Sequence, residues 1–122
     1  EGESGPYVQY SYVRGKSILK KAGNIAENPD LSYLKTEDEY NIVKLLGFFG
    51  ETVEQSAKRY EPFVINRYVT DLAKAFNKFY NTHPILNEEE GVKQARLALT
   101  KAVCSVLSTG LGLLGIQTPE SM

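Results

Sequence analysis

PFVINRYVTDLAKAFNKFY, residues 62–80, carries the clearest periodicity in the chain. Ile65, Tyr68, Val69, Leu72, Ala75, Phe76 and Phe79 share one side at about 100° per residue. Asn66, Arg67, Thr70, Lys74, Asn77 and Lys78 share the other. The spacing predicts an amphipathic helix of about five turns. Pro62 suits its first turn, and the run Asn81-Thr82-His83-Pro84 stops it, because the residue before a proline is pushed out of the α region.

Upstream, Glu1 to Pro6 is a turn-forming lead, with structure expected from about Tyr7. Tyr7 to Val13 is rich in β-formers and partly alternates. Val8, Tyr12, Gly15, Leu19 and Ala22 nevertheless fall on one helical face, with Tyr7, Tyr10, Arg14 and Lys21 on another, so the segment is assigned to a helix. Gly23 to Leu34 reads as a connecting loop anchored by Leu31, Tyr33 and Leu34. Thr36 and Glu39 have capping-box spacing and open a second helix, whose apolar side is Tyr40, Val43 and Leu45 or Leu46. Gly47-Phe48-Phe49-Gly50 breaks it before a third segment containing Val53, Ala57 and Tyr60, and the two phenylalanines are expected to join that helix pair.

Downstream, Asn87 and Glu90 suggest a cap for a last long helix over about residues 88–108, striped by Val92, Ala95, Leu99, Ala102, Val103 and Val106. Gly110 is expected to end it in a left-handed cap, with Leu111, Leu113, Leu114 and Ile116 tucking a short element onto the bundle and residues 117–122 left as a tail. The result is an all-α antiparallel bundle of four to six helices, forming a single domain over residues 1–122.

Composition narrows the function. The 122 residues are 42% hydrophobic and 24% charged, the usage of an ordinary packed core rather than of a disordered or rod-like chain. The apolar runs at 45–49 and 111–116 are far too short to cross a bilayer, and there is no cationic start followed by an apolar run, so a soluble, cytoplasmic protein without a membrane partner is expected. A net charge of -1 neither demands nor forbids a polyanion. The sole methionine is Met122, so a chain starting at Glu1 is expected to be a fragment or a processed product.

Catalytic signals are sparse. His83 is the only histidine and falls in an expected loop, where it reads as solvated, with no nucleophile to serve. Cys104, the only cysteine, lies among apolar helical residues as an inert thiol and leaves no disulfide to close. Glu88, Glu89 and Glu90 point in different directions on a helix and suit its positive end better than a metal. Residues 110–115 (GLGLLG) look like a phosphate loop only superficially, lacking the following Lys-Ser/Thr and the preceding strand.

Tyrosine stands out instead: eight in all, three within the first twelve residues, against no tryptophan. Tyr12 and Tyr68 belong to apolar faces. Tyr7 and Tyr10 share their face with Arg14 and Lys21, in a stretch that also holds Lys16 and Lys20 and no acidic residue before Asn24. Aromatic rings beside cations are what unstacked RNA bases require. From the residues alone, three readings stay open: RNA binding, a helical protein-interaction module with a groove of Tyr7, Tyr10 and Tyr80, and a stand-alone hydrolase, which the missing nucleophile and base disfavour.

Residues 5–14 (GPYVQYSYVR), 66–73 (NRYVTDLA) leading to 76–80 (FNKFY), 95–99 (ARLAL) and the ending from 113 (LLGI) to Met122 resemble, in order, the C-terminal anticodon-binding domain of arginyl-tRNA synthetase, a class I aminoacyl-tRNA synthetase. The resemblance implies an all-α fold that holds the anticodon loop of arginine tRNA and splays out its bases, the middle cytosine above all. Tyr7, Tyr10, Arg14, Tyr80 and Met122 match the residues around that cytosine, and Lys21 is expected to reach the RNA backbone. The resemblance further implies a parent arginine-tRNA ligase that uses ATP with magnesium and arginine on a separate catalytic domain. That domain is a partner of this fragment, which itself is expected to carry no catalytic site, metal or cofactor and not to bind DNA.

Overall fold

The computed structural model of the chain describes residues 4–59, 61–116 and 118. Among them the regular elements are five α-helices and one 3₁₀ turn, with no strand: α1 (Ser4–Ala22), the turn Leu31–Tyr33, α2 (Glu37–Gly47), α3 (Phe49–Arg59), α4 (Pro62–Thr82) and α5 (Glu90–Leu113). The expected all-α bundle is what forms. Tyr60 and the tail, apart from Thr118, lie outside the described residues, as do Glu1 to Glu3 and Met122.

The helix of residues 62–80 is the hub. α4 contacts every other α-helix, and its Ile65, Tyr68, Val69, Leu72, Phe76 and Phe79 are buried in one core with Val8, Ile42, Leu97, Val103 and Leu107. Burying such side chains contributes roughly 1.5–3 kcal/mol each, which is why a strongly amphipathic helix dominates the fold. α5 runs antiparallel to α1 and α4: Gly5 faces Ile116 while the Ala26 amide donates to Gln94, and Gly110 faces Val69 while Arg96 lies near Phe79. α1 and α4 therefore both run opposite to α5 and meet each other over the last turns of α4.

α2 opens on the predicted capping box: Thr36 Oγ1 accepts from the Glu39 amide, and Glu39 Oε1 accepts from the amides of Lys35 and Thr36. Its other oxygen, Oε2, accepts at 2.6 Å from Nε of Arg96 on α5. The pair is almost wholly enclosed, and Arg96 Nη1 also donates to the Pro84 carbonyl at 2.7 Å. Burial alone would raise the Glu39 carboxyl, but the Thr36 amide and the Arg96 guanidinium outweigh it and hold it below the usual carboxylate range.

Several expectations are corrected. α1 begins at Ser4 rather than near Tyr7, with Pro6 in its opening turn. Of the loop anchors, Tyr33 lies across Gly91 and Leu34 packs on the core, whereas Leu31 is exposed. The break at 47–50 is real, but Phe48 is exposed and Phe49 packs on Tyr68 of α4 at 5.5 Å, so α2 and α3 are held through α4 rather than through each other. The cap of α5 is Glu89, whose carboxylate accepts from the Val92 amide at 3.1 Å, not Asn87.

Gly110 does not end α5. The helix continues to Leu113, absorbing the short element expected there, and the positive φ at this end belongs to Gly115, at 76°. Gly110 serves a different need: a Cβ there would lie 2.4 Å from Cγ1 of Val69, so its bare backbone lets α4 and α5 approach. His83 is not simply solvated either. It caps the end of α4, stacks on Phe79 with ring centroids 5.6 Å apart and places Nε2 3.1 Å from Asp38 Oδ2 of α2.

Candidate nucleic-acid interface

α1 packs on the last turns of α4, and its tyrosine face meets them there. Tyr7 and Tyr10 are 36% and 49% exposed, a large aromatic area left in solvent. Arg14, one turn beyond Tyr10, crosses to α4 and lays its guanidinium over Tyr80, with Cζ 3.9 Å from the ring centroid and 5.2 Å from that of Tyr10. A planar cation at that distance over a ring is held by the ring's quadrupole. The Tyr80 ring in turn packs on Phe76 of the core at 6.1 Å, which fixes the platform to the bundle.

Two asparagines one turn apart on α4 complete the arrangement. Arg14 Nη1 donates to Oδ1 of Asn77 and Nη2 to Oδ1 of Asn81, both at 3.1 Å. Asn77 Nδ2 donates to the Tyr7 hydroxyl at 2.9 Å and to Ser11 Oγ at 2.8 Å, and Ser11 Oγ donates to the Tyr7 carbonyl at 3.1 Å. Arginine has donors only, so the Asn77 amide must turn its oxygen toward Arg14 and its NH₂ toward Tyr7 and Ser11. The Tyr7 oxygen accepts, leaving its own proton to donate elsewhere.

Four of the sequence-chosen residues, Tyr7, Tyr10, Arg14 and Tyr80, are thus brought into one cluster. Lys21 is not in it; it sits exposed in the last turn of α1, about 20 Å along the axis from Tyr7. Lys16 and Lys20 are exposed on the same helix, and no acidic residue interrupts positions 7–22. Met122 lies outside the described residues. Asn77, which the periodicity puts on the polar side of its helix, is 8% exposed and central to the cluster. Neither it, Ser11 nor Asn81 carries a signal in the sequence beyond a spacing of one helical turn.

Other candidate chemistry is quiet. Burial pushes the Cys104 thiol up to about 12, with Lys16 pulling the other way, and no group of acidic, histidine or cysteine residues that could hold a metal occurs among the described residues. No described helix is long and apolar enough to cross a membrane.

Residues 8–122 match the DALR anticodon binding domain family. The chain belongs to that family. The arginine–tRNA ligase of Halothermothrix orenii is 51% identical over 123 residues, covering 100% of this chain and 22% of that protein. That of Clostridium kluyveri is 52% identical over 126 residues, with the same coverage. The solved structure of Thermus thermophilus arginyl-tRNA synthetase superimposes with a TM-score of 0.90 at 41% identity, over 97% of this chain and 21% of that one. This DALR domain therefore spans about a fifth of the length of the curated relatives it matches.

Proposed function

We propose that these residues form a single tRNA-binding domain of an arginine–tRNA ligase and that the α1–α4 cluster holds the anticodon loop of arginine tRNA, with the middle cytosine against Arg14 and the tyrosines. The observation that carries this reading is the Arg14 guanidinium lying on Tyr80 beside two exposed tyrosines, on a helix whose charged side chains are all cationic from Tyr7 to Ala22. Flat faces and fixed donors are the two things a flipped base needs. Tyr7 and Tyr10 offer stacking surface, Arg14 offers donors to base or phosphate oxygen, and Lys21, two turns beyond Arg14 on the same face, extends the positive charge along α1. Met122, which the resemblance matches to the residues around that base, adds an apolar contact to it.

In this reading aminoacylation, with ATP, magnesium and arginine, belongs to the rest of a longer cytoplasmic polypeptide. Energy from the anticodon contacts is used to place the distant acceptor end. Relatives named arginine–tRNA ligase align with every residue of the chain, which supports the assignment.

The test is titration of the full-length protein with an arginine anticodon stem-loop and with the same loop carrying a changed middle base, across a range of salt. The expected results are preference for the cytosine-centred loop and a negative log–log salt slope, of about -0.7 for each lysine that meets a phosphate. Equal binding of both loops would overturn the cytosine assignment. A nearly flat salt dependence would instead point to a protein partner at the tyrosine groove.

A further inference from the structure

We propose that Asn77 and Asn81 are positioning residues that fix the Arg14 guanidinium as a donor-only reader of the middle base, selecting cytosine over uracil. The proposal rests on the anticodon reading above and goes beyond it by giving the origin of the discrimination and the residues that set it.

The argument starts from what cytosine and uracil share. They have the same ring, so stacking on tyrosine cannot separate them. They differ on the pairing edge: cytosine offers adjacent acceptors at O2 and N3, whereas uracil has an N–H at position 3. A guanidinium has five N–H donors and no acceptor, so it matches the first edge and opposes the second. Two of the five are taken by Asn77 and Asn81, leaving three with no protein partner among the described residues.

Such discrimination requires the fork to be held in one plane. A free arginine side chain rotates over many rotamers and would turn until either base was satisfied. Here three contacts restrain it: Oδ1 of Asn77, Oδ1 of Asn81 and the face of Tyr80. Asn77 is buried, and its NH₂ is itself fixed by Tyr7 and Ser11, so it cannot follow the arginine if the arginine turns. Asn81 is exposed and holds the second nitrogen. The two acceptors are four residues apart on one helix, which presents them to the two Nη atoms on the same face.

The experiment measures binding of cytosine-centred and uracil-centred anticodon stem-loops to the full-length protein and to Asn81→Ala, Asn81→Asp and Asn77→Ala variants. Asn81→Ala is expected to lower the cytosine-to-uracil preference about fivefold, the low end of what one bidentate contact discriminates, while changing affinity for the uracil loop less than about twofold. Asn81→Asp keeps an acceptor for Nη2 and is expected to retain the preference while its charge weakens both loops together. Asn77→Ala should act as Asn81→Ala does; should it fail to fold, the exposed Asn81 variants decide the matter. Loss of affinity for both loops in equal measure on Asn81→Ala, with the preference intact, overturns the proposal and leaves the anticodon reading standing. Absence of any preference in the unsubstituted protein overturns both.

Discussion

At the scale of single residues, Gly110 and Gly112 make a controlled pair, two positions apart on α5. A methyl group at Gly110 would meet Val69, a fully buried β-branched side chain with little room to turn, whereas one at Gly112 would meet nothing within 4 Å. Alanine gains about 1 kcal/mol over glycine inside a helix. Gly112→Ala is therefore expected to raise stability by up to that amount. Gly110→Ala should lower it, because overpacking a filled site costs about 1–3 kcal/mol. Thermal unfolding of both variants checks the opposite signs, and Gly110→Ala should carry no overpacking penalty when made in a Val69→Ala background. Sequence reading placed Gly110 at a helix end because a glycine after an apolar run signals a cap. Only the neighbouring helix, invisible from sequence, reveals that the position is chosen for closeness.

At the scale of elements, the start of α2 joins a local motif to a distant one. The Thr36–Glu39 box was legible because both partners lie three residues apart, while the Arg96 guanidinium that takes the second carboxylate oxygen is 57 residues away. Removing one member of a buried pair strands the other, at about 3–5 kcal/mol. Arg96→Ala is expected to cost this much in denaturant unfolding, and Glu39→Ala less, because Arg96 keeps the Glu88 carboxylate at 3.5 Å and the Pro84 carbonyl at 2.7 Å. The same contact sets a pH dependence. With the carboxyl held below its unfolded value, the stabilisation is complete above the usual glutamate range and is lost as pH falls through the depressed folded value. Acid titration of helix content should show that loss in the unsubstituted chain and a shallower one in Glu39→Gln. The tyrosine face of α1 was likewise legible, since its members recur at helical spacing. Asn77, which organises it, was not, because helical periodicity separates polar from apolar and says nothing of a polar group buried between two helices.

At the scale of the whole molecule, α1, α4 and α5 were readable from their long apolar stripes, and α2 from its capping box, whereas Tyr40 and Val43, expected on its apolar side, are exposed and Ile42 is buried instead. Leu72→Ala, in the middle of the α4 hub and fully buried, is expected to cost about 2–5 kcal/mol in denaturant unfolding, with the same variant leaving the exposed Tyr7 and Tyr10 in place. α1 packs closely on α5: a Cβ at Gly15 would come 2.5 Å from the Cys104 sulfur, so the two helices close directly over that atom. The sulfur is the chain's sole thiol, and burial pushes its pKa to about 12. It thus becomes a clock for opening of the bundle. A thiol-modifying reagent at neutral pH reacts with it only in the moments when α1 stands away from α5, so the labelling rate counts those moments, and a bound RNA that pins α1 to α4 would slow the count.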